Sequence, residues 1–121
     1  MFRDKERSRT VLCAANGYEM KYYFNPAFSS LPQSVQEELH IISVLFTEEV
    51  GGIFQILFEE NGDVTIETDA DEADLLYDEI SAGLMVAEIK RTRQELLGSL
   101  SLYYKIFVLK ETPEDMWEEE I

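Results

Sequence analysis

Histidine and cysteine are almost missing from this 121-residue chain, which has one of each, His40 and Cys13. A Cys/His zinc cage needs several such ligands and a disulfide framework needs paired cysteines, so both are excluded. Positive charge is scarce as well. Ten Lys and Arg stand against 25 Asp and Glu, for a formal net charge of −15. Binding that works by phosphate neutralisation needs clustered cations, so no nucleic-acid partner is expected. No apolar run approaches the roughly 20 residues that span a bilayer, so no membrane partner is expected either. Residues 1–10 lack the apolar core of a secretory signal, and the expectation is a soluble, cytoplasmic protein. A Gly-x-Ser-x-Gly elbow and a Gly-rich phosphate loop are also absent, which removes the usual sequence marks of hydrolases and nucleotide binders.

What remains is an ordinary globular balance, 45% hydrophobic and 29% charged, in a length suited to one domain. The charge is unevenly placed. Arg3, Lys5, Arg7, Arg9 and Lys21 lie at the start, and residues 22–89 then hold 15 acids and no Lys or Arg. Lys90, Arg91 and Arg93 form a short basic cluster. From Glu111 onward there are six acids and no cation. The division expected is a basic segment at residues 1–9, a single domain at residues 10–110, and an acidic, mobile tail at residues 111–121 in which Met116 and Trp117 stand out. Dense like charge keeps a protein soluble and opposes its compaction.

Asn16-Gly17 between two β-rich runs is a strong hairpin signal. A two-residue turn there pairs Ala15 with Tyr18, Cys13 with Met20, and Val11 with Tyr22. Val11, Cys13, Ala15, Tyr18, Met20, Tyr22 and Phe24 then face inward. Ser30 reads as a helix N-cap, with Gln33 at the capping-box position. Leu31, Val35, Leu39, Ile42, Leu45, Phe46 and Val50 share one helical arc, and Gly51-Gly52 ends it. A rival reading makes residues 41–46 a strand. In the second hairpin, a three-residue loop with Gly62 in the left-handed region sets Phe58 against Val64, Ile56 against Ile66, and Phe54 against Thr68.

Asp71 or Thr68 then caps a helical stretch reaching about Lys110, with Glu72 and Asp74 in its first turn. Unbroken from residue 75, it would be roughly 54 Å long, against a domain about 35 Å across. Its apolar residues also fall on two sides. Leu76, Ile80, Leu84 and Ala87 lie on one; Ile89, Leu96, Leu97, Leu100, Tyr103, Tyr104 and Phe107 lie nearly opposite. Either the helix breaks near Ser81-Ala82-Gly83, or both sides are buried and one meets a second subunit. Residues 103–109 are also compatible with a strand. The order ββαββα, with the last helix open to division, predicts a two-layer α+β domain: one antiparallel sheet from two hairpins, helices on one face.

The run from Val11 to Tyr18, the Lys-Tyr-Tyr-Phe-Asn run at 21–25 and the Asp-Leu-Leu-Tyr-Asp-Glu-Ile run at 74–80 together resemble an uncharacterised family of small acidic bacterial proteins, a domain of unknown function. The resemblance covers about residues 10–110 and implies no activity or site. In architecture alone, the element order and acidity are similar to the dimeric chaperones of bacterial type III secretion.

Candidate chemistry is thin. A Cys13–His40 dyad needs hydrogen-bond contact and an accessible thiolate, yet the hairpin register turns Cys13 inward and the wheel turns His40 outward. Asp69, Asp71, Glu72 and Asp74 have the oxygen donors that suit Ca²⁺ or Mg²⁺. Ala73 and Asp74 break the EF-hand pattern, and helix-start carboxylates explain the cluster. Glu59, Glu60 and Asp63 fit a solvated turn. The aromatics Tyr18, Tyr22, Tyr23, Phe24 and Phe28 fit a core or an interface better than a base-stacking platform in so acidic a neighbourhood. No catalytic, cofactor or metal residue is assigned. The expected function is a non-catalytic protein-binding or regulatory domain, self-associating as a homodimer through residues 84–109. The alternatives are an acidic mimic that occupies a nucleic-acid-binding site on a basic protein partner, and a carboxylate-based ion-binding domain or enzyme.

Overall fold

The computed structural model describes residues 9–111. The expectations for the basic segment before Arg9 and for the acidic tail with Met116 and Trp117 lie outside the described residues.

Strands β1 (Thr10–Asn16) and β2 (Lys21–Phe24) lead through a short 3-10 turn (Pro26–Phe28) into helix α1 (Gln33–Glu49). Strands β3 (Ile53–Phe58) and β4 (Val64–Asp69) follow, then helices α2 (Glu79–Thr92) and α3 (Gln94–Phe107). All four strands pair antiparallel in the order β2-β1-β3-β4. The chain is therefore the expected α+β domain with both hairpins in one sheet, its last helical stretch divided.

The second hairpin has the predicted register: Phe58 opposite Val64, Ile56 opposite Ile66, Phe54 opposite Thr68. Gly62 sits at φ +97, and the Glu59 N–H donates to the Asp63 carbonyl at 2.7 Å across the three residues between them. The first hairpin differs. Ala15 pairs with Tyr22 and Cys13 with Phe24, so residues 17–20 form a four-residue loop. Asn16 is responsible: its side-chain oxygen accepts from the Tyr18 and Glu19 N–H groups at 2.9 and 3.2 Å, forming a turn before Gly17 can. Met20 takes the left-handed position, φ 55. The slip is two residues on each strand, so Tyr22 and Phe24 keep the inward face while Tyr18 and Met20, predicted inward, are 45% and 89% exposed.

A bulge in β1 makes the other correction. Val11 pairs with Leu57 and Cys13 with Ile56, leaving Leu12 as the extra residue. Leu12 and Cys13 are both fully buried, and Val11 is not. Asn25 holds the bulge: its backbone N–H donates to the Leu12 carbonyl at 2.9 Å and its side-chain amide to the Val11 carbonyl at 2.8 Å.

Helix α1 starts at Gln33 with Pro32 before it and no side-chain cap. Ser30, the predicted cap, instead shares a 2.7 Å hydrogen bond with the Tyr103 hydroxyl. Residues 41–46 are helical, not a strand, and Leu45 is exposed rather than part of the buried arc. Gly51 and Gly52, at φ +91 and +73, end the helix as expected.

The largest departure lies after β4. Residues 70–77 form turns, and α2 begins only after Asp78, whose carboxylate accepts from the Ile80 and Ser81 N–H groups. Asp71 and Thr68 cap no helix. Asp71 and Asp74 each accept from the N–H two residues on, local bonds that compete with helix formation. The division falls at Arg93 (φ −117, ψ 30), not near residues 81–83. Residues 103–107 are helical, not strand. Ala82, Ile89, Leu100 and Tyr104 all enter the same core. There Phe58 meets Tyr104 at 4.4 Å and Phe28 at 5.2 Å, and Phe46 meets Phe54 at 4.8 Å.

Candidate functional site

Cys13 and His40 come near the same aromatic ring without meeting. Cys13 is fully buried, with its sulfur 3.7 Å from the Ser43 hydroxyl. That hydroxyl donates to the Leu39 carbonyl at 2.8 Å. Burial pushes the thiol from 9.0 up to about 11, with the nearby Ser43 and then Tyr22 hydroxyls pulling the other way. A thiol so placed is protonated at neutral pH and is no nucleophile. His40 is exposed and stacks on Tyr22, centroids 4.2 Å apart. The Tyr22 hydroxyl is buried and has no hydrogen-bond partner.

The carboxylates at the end of β4 and beyond it are brought together, though not as a cation cage. Asp69, Asp71, Glu72, Asp74 and Glu79 line a cavity of about 490 Å³ with Tyr77 and Ala82. Three of these carboxylates accept local hydrogen bonds. Asp69 accepts from the Ala70 N–H, Asp71 from Ala73 and Asp74 from Leu76, at 2.8 to 3.2 Å. Among the described residues no group of three or more His, Cys, Asp or Glu is arranged to hold a metal ion. Glu59, at the turn of the second hairpin, accepts from Arg9 and Thr65. Glu60 is exposed at the turn, and the Asp63 carboxylate accepts from the Asn61 amide.

The feature that stands out is apolar. Leu75, Leu76, Ile80 and Leu84 are 90%, 94%, 75% and 68% exposed. Of the stripe that a continuous helix would set opposite Ile89 and Leu100, Ile80 and Leu84 lie one turn apart on α2 and Leu76 lies in the turn before it. That inner stripe runs into the core straight through the bend at Arg93, so the bend does not bury the outer one. The leucines are held in place by ordered turns. The Tyr18 hydroxyl donates to the Asp74 carboxylate at 2.7 Å and accepts from the Asp71 N–H at 2.9 Å. The first bond favours the neutral phenol and raises its pKa. Beneath the loop, Gly52 packs so closely that a Cβ there would lie 2.5 Å from the Asp69 carbonyl and 2.7 Å from the Tyr77 ring. At the start of α2 the Ser81 hydroxyl, then the Ser81 and Ile80 N–H groups, hold the Asp78 carboxyl below its ordinary value.

Sequence reasoning assigned Tyr18 to the core and so missed its role as the loop's anchor. The partners are 56 residues apart, and nothing local in the sequence links them. The Asp71, Asp74 and Asp78 spacing did carry a turn signal, which acidic helix-start chemistry imitates. Elsewhere Leu102, Phe107, Val108 and Leu109 are also partly exposed, at 36–62%. Among the described residues no helix is long and apolar enough to cross a membrane. Neither the curated proteins nor the solved structures provide a significant match to the chain. A family model does match, over residues 9–112, which takes in the whole described fold, and the chain belongs to that family, a family of unknown function designated DUF6145.

Proposed function

We propose that this chain is a non-catalytic protein-binding module whose docking face is formed by Leu75, Leu76, Ile80 and Leu84. The observation that carries the reading is their exposure, from 68% to 94%, on a loop and helix fixed by hydrogen bonds. Isolated exposed apolar residues need no explanation, whereas a contiguous set of large ones marks an interaction surface. Covering each side chain contributes about 2 kcal/mol, so the four together supply several kcal/mol toward association. The buried, protonated Cys13 and the separation of His40 from it support a role without nucleophilic chemistry.

The test is photocrosslinking in the producing cell, with a photoreactive residue at position 76 or 84 and a control at the exposed Glu48 of α1. Protein adducts from 76 and 84, but not from 48, are expected. Equal labelling from all three positions, or none, refutes the docking face.

A second reading rests on a separate observation, the cavity lined by Asp69, Asp71, Glu72, Asp74 and Glu79. A concave anionic surface attracts a basic protein, as an acidic mimic of nucleic acid does. That reading expects binding that weakens steeply with salt, whereas docking through the leucines does not.

A further inference from the structure

Charge is distributed unevenly along α2. The N-terminal end carries Asp78 and Glu79, and the C-terminal end carries Lys90 and Arg91. Ala82 and Ile89 are buried, with Met85 and Val86 half-buried beside them. At about 100° per residue, Ile80, Leu84, Ala87 and Arg91 lie diametrically opposite that inner face. Glu79 and Lys90 fall on one flank of this outer stripe, and Ser81 and Glu88 on the other. Both flanking pairs have the same midpoint, between Leu84 and Met85.

We propose that the occupant of the docking face is a second copy of this chain, α2 packing antiparallel on α2 about a two-fold axis at Leu84. This inference rests on the docking reading above and names its partner. A two-fold perpendicular to the helix brings each flank against the same flank of the other copy, reversed in direction. Glu79 then faces Lys90 on one side, and Ser81 faces Glu88 on the other. Leu84 packs on its own counterpart, and Ile80 packs over the small Ala87. Gly83, with nothing within 4 Å of a Cβ built there, leaves one flank open to close approach. A parallel pairing instead sets Arg91 on Arg91 in the outer stripe, with the helix dipoles aligned. The antiparallel arrangement is the one that this charge pattern favours, and it closes as a dimer. Each copy carries a formal −15, so the long-range repulsion between copies is screened, and the dimer tightened, by added salt.

The experiment is the molar mass of the full chain by light scattering, at about 10 and about 200 µM, a range that reads micromolar dissociation constants. Wild type is expected at twice 14.0 kDa at the upper concentration. Leu84→Glu sets two carboxylates on the axis and removes two buried leucines, weakening association by about 100-fold or more. Lys90→Glu weakens it by several-fold, and Lys90→Glu combined with Glu79→Lys restores it. Circular dichroism melts of the variants confirm the fold, as expected for substitutions at exposed positions. A wild-type mass of 14.0 kDa at about 200 µM overturns the dimer, as does a dimer indifferent to Leu84→Glu or a charge swap that does not recover. A monomer whose positions 76 and 84 still crosslink to another protein sinks the dimer and keeps the docking face; a monomer that crosslinks to nothing sinks both.

Discussion

Replacing Tyr22 with Phe removes a single oxygen and is expected to stabilise the protein. The Tyr22 ring stacks on His40 at 4.2 Å with an interplanar angle of 17°, and its hydroxyl is buried without a hydrogen-bond partner. Burial, then the neighbouring Cys13 thiol, raises the phenol above its ordinary pKa. A thiol is a weak hydrogen-bonding group and compensates little of the lost hydration. An unsatisfied buried polar group costs about 1–3 kcal/mol. Tyr22→Phe keeps the ring, its stacking and its volume, so the gain should be about 1 kcal/mol. For a domain of this size that is roughly 4 °C in melting temperature. Urea unfolding measures it, with Tyr23→Phe as control, since Tyr23 is 50% exposed and its hydroxyl remains hydrated. A loss of about 1 kcal/mol or more in Tyr22→Phe would show that the hydroxyl is satisfied and refute the reasoning.

Gly52→Ala should destabilise by at least about 2 kcal/mol, because φ is +73 and the new Cβ meets the Asp69 carbonyl at 2.5 Å. Gly51→Ala, at φ +91 with open space around it, should cost only about 1 kcal/mol in urea unfolding. Alkaline pH should weaken the fold through Cys13. The unfolded thiol ionises near 9.0 and the folded one near 11. Its contribution is therefore complete below pH 9 and lost as pH rises towards 11, by about 2–3 kcal/mol in all. Cys13→Ala should lose less stability than wild type across that window, and parallel curves would contradict the assignment. Salt should raise the melting temperature between low ionic strength and about 0.2 M. Of the 15 acids in residues 22–89, Glu38, Glu59, Glu67 and Glu88 are in salt bridges among the described residues, and the large negative surplus of the chain is self-repelling. An unchanged melt would mean that they are already compensated.

Legibility in the sequence followed the range of the interactions. The second hairpin was readable because its register, its apolar pairing and Gly62 all agreed. The first was readable in its face but not in its loop, since Asn16-Gly17 supports two turns and the Asn16 side chain selects the longer. The bulge at Leu12 was hidden because what fixes it is Asn25, on another element. The late start of α2 was hidden by Asp71, Asp74 and Asp78, which serve turns and helix starts equally well. The outer stripe of Leu76, Ile80 and Leu84 was visible as a helical pattern. Its exposure was not, because that depends on which side of the helix the sheet occupies. Leu75 and the Tyr18–Asp74 anchor had no periodic signal at all.

The most direct test of the docking face uses the chain's own chemistry. Cys13 is its only cysteine, fully buried, so a second thiol at position 84 reports on itself. Leu84→Cys, mildly oxidised at a concentration of about 50 µM, should trap a disulfide-linked dimer in high yield if two α2 helices pack antiparallel about that position. A cysteine in place of the exposed Glu48 of α1 should give little. Comparable, low yields from both positions would contradict an α2–α2 interface.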